Sequence, residues 1–232
     1  MNEGQPGSRS ASMSDTGSVE MRPEYHALVR TDIFPLVPHI GGTLLDLGGG
    51  IGATAAALKA AGHVERAGVV DLVSQDPSKL GLDFHYTGDL ERSDILDQTA
   101  KVHGPFSVVL CLDILEHLVD PWRVVKQLHA TLAPGGVIVA SIPNMRYYKA
   151  SFPLFFLGRW NLEERGIRDR THLRWFVKDS AVSLMTSSGL VLEEVFGKPS
   201  GGRKIKLVRA ATLNIFNEFT NLQYLVRVRN QR

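Results

Sequence analysis

Cysteine is almost absent: Cys111 is the only one in the chain. It can form neither an intramolecular disulfide nor a multi-cysteine metal site, so a disulfide-stapled scaffold and dithiol redox chemistry are excluded, and a reducing, cytoplasmic compartment is the expectation. Long apolar runs are also lacking. Asp113 interrupts the longest and Pro143 ends the next, so none approaches the ~18 residues that a bilayer-spanning helix needs. The first residues have no apolar core of the kind a secretory signal carries. An excess of one charge is missing too: 26 Lys and Arg face 24 Asp and Glu, a net of +2, too balanced to make nucleic acid the default partner. The balance is uneven along the chain, because from Lys198 onward eight basic residues face a single acid, Glu218. The run from Arg203 to Arg209 is interrupted by Ile205, Leu207 and Val208, which suits a helix beside a sheet better than a nucleic-acid arm.

What is present points to a globular chain. With 232 residues, 44% of them hydrophobic and 22% charged, there is material for one domain with an elaboration. Residues 1–22 hold five Ser and three Gly without an aliphatic pattern, a composition expected to stay disordered. The domain is expected over 23–232. His26-Ala27-Leu28-Val29 and Ile33-Phe34 predict a first helix from near Tyr25 to the prolines at 35 and 38. Beyond it, short β-type runs (Thr43 to Leu47, Ala67 to Val73, Phe84 to Tyr86, Phe106 to Leu112, Val137 to Ile142) alternate with helical stretches (Ala53 to Ala61, Pro121 to Leu132). That rhythm predicts a doubly wound α/β sheet with parallel strands. The strands 107–112 and 137–140 are apolar on both faces, as a sheet covered by helices on both sides requires. After an irregular stretch, Val177 to Ser188 reads as a helix stopped by Gly189, and Leu190 to Phe196 and Leu222 to Val228 as two late strands.

The most informative segment is Leu44-Leu45-Asp46-Leu47-Gly48-Gly49-Gly50-Ile51-Gly52-Ala53, a strand running through a glycine turn into a helix. Glycines at 48, 50 and 52 permit positive φ and a close ligand approach, and the helix start offers free N–H groups. The spacing also satisfies the dinucleotide fingerprint, so spacing alone leaves a nicotinamide cofactor open. Charge favours one of them: Asp46 at the strand end would repel a diphosphate and attract the ammonium and sulfonium of S-adenosylmethionine. Asp71, ending the next strand, can accept both ribose hydroxyls of either cofactor, and Asp89 in Gly88-Asp89-Leu90 could accept an adenine amino hydrogen.

Together with Leu112-Asp113-Ile-Leu-Glu116-His117, Leu132-Ala-Pro134-Gly135-Gly136 and Thr171-His172-Leu-Arg174-Trp-Phe176, these motifs make the chain resemble the class I S-adenosylmethionine-dependent methyltransferases, in particular the small-molecule branch that includes the ubiquinone-pathway O-methyltransferases. The resemblance implies a seven-stranded, mostly parallel Rossmann-like sheet whose last strand is antiparallel. It also implies cofactor contacts from Asp46, Gly48, Gly50, Gly52, Asp71, Leu72, Asp89, Leu90, Leu112 and Asp113, with S-adenosylhomocysteine as product. Gly49 stands where many relatives have Cys or another small residue, a departure expected to be harmless. Arg30 could pair the cofactor carboxylate, although the simpler reading is a solvated arginine.

Methyl transfer is an in-line displacement, so a base is needed only for a protonated acceptor. His117 is the first candidate, His172 the second, and Glu116 accompanies them. In some ubiquinone-type relatives the acid-x-x-acid-His pattern looks like a divalent-metal site; here no metal is the favoured reading. Between Pro143 and Phe176 lie eight of the eighteen aromatics, with seven basic residues against three acids. That composition predicts an aromatic-rich lid insertion over 143–176 and an anionic or glycosidic acceptor. The stretch Phe152 to Leu157 followed by Arg159 could instead make peripheral membrane contact or meet a lipid-linked substrate. A looser likeness is to methyltransferases that accompany glycosyltransferases in bacterial surface-glycan and lipid pathways. The rival functions are a nicotinamide-dependent reductase and a methyltransferase-like binding module without turnover.

Overall fold

The computed structural model describes residues 28–74, 76–92, 94–200 and 216–232, together with residues 202, 205 and 209–211. The N-terminal tail, Tyr25 and most of the basic run 203–209 lie outside the described residues. Seven strands form one sheet: β1 (Thr43–Leu47), β2 (Arg66–Asp71), β3 (Phe84–Thr87), β4 (Phe106–Leu112), β5 (Leu132–Pro143), β6 (Val191–Pro199) and β7 (Asn221–Arg229). Their order is β3-β2-β1-β4-β5-β7-β6. β1 to β5 pair in parallel, while β7 runs antiparallel to both β5 and β6. The expected seven-stranded, mostly parallel fold is the one observed.

Period-two alternation sends successive strand side chains to opposite faces. Leu45, Val109, Cys111, Ile138 and Ala140 join one buried cluster, while Leu44, Val108, Leu110, Val137 and Val139 join another. Helices α2 (Ile95–His103), α3 (Pro121–Thr131) and α5 (Lys178–Thr186) contribute to the first cluster, and α1 (Ala53–Ala60) to the second. Helix α3 starts where Pro121 occupies the first turn and the Asp120 carboxylate accepts the Arg123 amide at 3.0 Å, satisfying an orphan donor.

Two expectations are corrected. In place of a first helix reaching the prolines, the described residues form a short 3-10 helix, Thr31–Leu36, with Pro35 inside it; proline removes an amide donor and clashes with the preceding turn, which disfavours regular α-helix there. The irregular stretch after β5 contains a helix, α4 (Tyr148–Leu157). Of the aromatics in 143–176, Tyr147 and Phe176 are buried, while Phe152, Phe155, Phe156 and Trp175 are exposed.

Candidate functional site

Parallel pairing of β1, β2, β3 and β4 brings their carboxyl ends to one edge, and the loops that leave it are tied together. The Gly48 amide donates to the Val70 carbonyl at 2.8 Å, Gly88 to Asp71 at 3.0 Å, and Asp113 to Ser141 at 3.0 Å. Gly48, Gly50 and Gly52 have φ of +66°, +58° and +80°, the left-handed region that glycine enters without a Cβ penalty. A Cβ at Gly52 would also lie 2.5 Å from Leu82 Cδ1 and 2.7 Å from Val69 Cγ2.

Beneath this turn is Asp46, 2% exposed. Its Oδ1 has no hydrogen-bond partner among the described residues. Burial, and then the neighbouring Asp71 charge, push its pKa up to about 7. A Cβ at position 49 would fall 2.5 Å from the Asp46 carboxylate, so the Gly49 departure has a consequence: it lets this side chain fold under the loop. A buried carboxylate short of a partner favours a nearby cation.

Asp71 uses Oδ2 to accept the Gly50 amide at 2.8 Å and Oδ1 to accept the Val73 amide at 3.0 Å, joining the end of β2 to the glycine turn. If Asp71 accepts the ribose hydroxyls, as the resemblance implies, Asp71→Ala is expected to weaken S-adenosylhomocysteine binding by about 1–3 kcal/mol, the cost of losing hydrogen bonds to a charged group; an unchanged affinity by calorimetry would contradict that role.

Asp113 departs from ordinary backbone geometry, with φ of +55°, and strain of this kind gathers at functional positions. Its carboxylate is held from three directions: Arg30 Nη1 donates at 2.5 Å, Ser141 Oγ at 2.8 Å and Gln223 Nε2 at 3.2 Å. Arg30 also pairs with Asp32 at 2.9 Å, and Lys198 reaches Asp32 at 2.8 Å. Arg30 is therefore not a solvated arginine; its charge is shared by two protein carboxylates. Asp32, Ser141, Gln223 and Lys198 were not anticipated. A polar Ser141 and Gln223 among apolar strand residues is the signal that could have flagged them.

Leu72 is 71% exposed beside Asp71 and Leu112 is half-buried. The Leu90 side chain belongs to the core and its carbonyl accepts Arg123 at 2.8 Å, which leaves its main-chain amide as the group that could face a cofactor. Asp89 accepts the Glu91 amide at 2.8 Å through Oδ1 and lies 3.6 Å from Arg92.

Past β4, Glu116, His117 and His172 converge, their ligand-capable atoms all within 4.8 Å of one another. Glu116 is 1% exposed, and neither carboxylate oxygen has a hydrogen-bond partner among the described residues. Burial first and the Asp113 charge second raise its pKa well above the ordinary carboxylate range, which favours the neutral acid. Its main-chain carbonyl accepts the Leu173 and Arg174 amides at 2.8 and 3.0 Å, fastening the 171–176 segment to the end of β4. His117 Nδ1 meets the Thr171 hydroxyl at 3.0 Å, and its ring lies edge-on to His172 at 4.6 Å. Desolvation and the His172 ring lower the His117 pKa, so its neutral form is favoured. Three such donors could hold a divalent cation.

This arrangement of a glycine turn, strand-end acids and a histidine past β4 can be set beside known proteins. A family profile described as Methyltransferase domain matches residues 21–195. The chain belongs to the methyltransferase-domain family. Within the family, the chain is 29% identical over 177 residues to the ubiquinone biosynthesis O-methyltransferase of Xylella fastidiosa (strain 9a5c), covering 74% of this chain and 71% of that protein. It spans about half the length (45%) of a Xanthomonas euvesicatoria relative of the same name. Among solved structures, an S-adenosylmethionine-dependent methyltransferase from Mesorhizobium loti superposes with a TM-score of 0.58 at 20% identity, covering 86% of this chain and 96% of that one. The N-methyltransferase NodS from Bradyrhizobium japonicum, in complex with S-adenosyl-L-homocysteine, gives 0.52 at 15% identity, covering 82% and 79%. These two likenesses establish a shared fold. For a positively charged cofactor, the methyltransferase domain offers a fitting cradle in the left-handed turn and the partnerless Asp46 oxygen.

Proposed function

We propose that this methyltransferase domain transfers the methyl group of S-adenosylmethionine to a hydroxyl of a small-molecule, lipid-linked or glycan-linked acceptor, with an amine or a carbon as second choice. The observation that carries this reading is the buried, unpaired Asp46 beside Asp71 under a glycine turn, a negative lining suited to a cation and hostile to a diphosphate. It weighs against the nicotinamide-dependent reductase. When bound, S-adenosylmethionine supplies an electrophilic methyl on a sulfonium.

The protein's part is alignment and proton removal. Asp46 and the glycine turn would hold the amino-acid end and Asp71 the ribose, with the Arg30–Asp113 pair at the edge of β4 beside them. His117, neutral and engaged through Nδ1 by Thr171, keeps Nε2 to accept the acceptor's hydroxyl proton. Glu116 and His172, both buried, act through it as positioning residues.

Methyl-labelled S-adenosylmethionine incubated with a panel of phenols, catechols and glycosides tests the proposal: label is expected in a hydroxyl-bearing acceptor. Binding of the cofactor without transfer to any of them would favour the turnover-free module. His117→Ala is expected to lower kcat about a hundredfold while cofactor affinity stays within twofold, the scale at which a positioned base contributes; an unchanged kcat would remove His117 from the reaction.

A further inference from the structure

Helix α4 is built inside out. Its buried residues are the small Ala150 and Ser151, while Tyr148, Phe152, Phe155 and Phe156 recur at i, i+4, i+7 and i+8, the spacing of the stripe that normally faces a core. Here that stripe faces outward: Phe152, Phe155 and Phe156 are 54%, 76% and 73% exposed, and Leu157 and Leu162 extend the apolar surface. An exposed aromatic face of this kind marks something that covers it.

Charge indicates what. From Tyr148 to Leu162 the chain carries Lys149 and Arg159 and no acid. In the next turn Glu163 and Glu164 are taken up by Arg168 and by Arg170, while Arg165 is exposed. A second copy of the chain seated on this face would set these like charges against one another. At 10 residues α4 is far too short to cross a bilayer, and among the described residues no helix is long and apolar enough to do so. A short helix with an aromatic face and basic neighbours is suited to lying in the headgroup layer.

We propose that the outer face of α4 seats the protein on an anionic membrane surface, with Phe152, Phe155 and Phe156 entering the interface and Lys149, Arg159 and Arg165 meeting lipid phosphates. This inference does not depend on the methyl-transfer reading. Since α4 follows β5, whose carboxyl end borders the candidate site, such seating would bring a lipid-borne acceptor to that edge.

The test is co-sedimentation of the full chain with equimolar phosphatidylcholine–phosphatidylglycerol vesicles, with phosphatidylcholine vesicles alone for comparison. Pelleting is expected with the anionic vesicles, falling at least about tenfold with phosphatidylcholine alone, for Phe155→Ser/Phe156→Ser and for Lys149→Glu/Arg159→Glu. The two double variants substitute exposed side chains, and urea midpoints matching the unsubstituted chain would show that folding is kept. No pelleting with anionic vesicles, or pelleting that both double variants retain, would overturn the proposal. So would a dimer in analytical ultracentrifugation that Phe155→Ser/Phe156→Ser dissolves while the parent chain ignores vesicles.

Discussion

Asp46→Asn is expected to remove a pH-dependent destabilisation from the free protein and, at the same time, to weaken its hold on S-adenosylmethionine. Asp46 titrates near 7 in the folded chain against an ordinary value of 3.8. Between those values the folded protein keeps a proton that the unfolded chain has released, so stability falls as pH rises through this window and is lowest above about 7. The full difference corresponds to about 4 kcal/mol, of which about 3 kcal/mol falls between pH 5 and 8. Urea unfolding at both pH values should therefore show the parent chain losing about 3 kcal/mol relative to Asp46→Asn across that interval. A parallel pH dependence of the two proteins would mean that Asp46 is ionised throughout. The same charge should make S-adenosylmethionine affinity rise from pH 5 to 8 in the parent chain. In the variant it should be at least about tenfold weaker at pH 8, the scale of a lost hydrogen bond to a charged group.

The second large effect concerns Gly52. Alanine there must adopt φ near +80°, costing about 1–2 kcal/mol, and its Cβ must displace Leu82 or Val69 from 2.5 and 2.7 Å, a further ~1–3 kcal/mol of overpacking. Gly62 provides the control, because it has φ of +77° with nothing within 4 Å of the added Cβ. Gly52→Ala should thus lose about 2–5 kcal/mol in urea unfolding and Gly62→Ala only the backbone share, about 1–2 kcal/mol. Equal losses would contradict the packing role of Gly52.

The cost at Asp46 has a physical counterpart in the site. A carboxylate sealed under a glycine turn without a partner destabilises the empty protein and is relieved by whatever cation enters. Asp113 repeats the pattern in its backbone, with a left-handed conformation held by Arg30, Ser141 and Gln223. Both residues border the carboxyl edge of the sheet, where an open α/β fold places its ligands.

The sheet was legible because β4 and β5 are apolar on both faces and the glycine turn follows β1 directly. Helix α2 escaped notice because only Ile95, Leu96 and Thr99 are buried in it, too few for a clear helical stripe. Helix α4 was hidden by Pro153 in its interior and by an aromatic face turned outward, which as sequence resembles a lid. Asp46 and Asp71 could be located at the carboxyl edge of the sheet because each lies at or beside the end of a strand. The partners of Asp113 could not, since Arg30 precedes the sheet and Ser141 and Gln223 sit on antiparallel neighbours more than eighty residues apart. That the Leu90 side chain turns into the core was not legible, because sequence position after a strand does not reveal which way a side chain turns.

Isothermal titration at pH 8 of S-adenosylmethionine, S-adenosylhomocysteine and NAD into the full chain tests the central assignment most directly. One-to-one binding of the two sulfur nucleosides, with the sulfonium form losing affinity on Asp46→Asn and NAD giving no heat, is the expected result. Saturable NAD binding, or no heat from either sulfur nucleoside, would contradict a cleft designed around a cation.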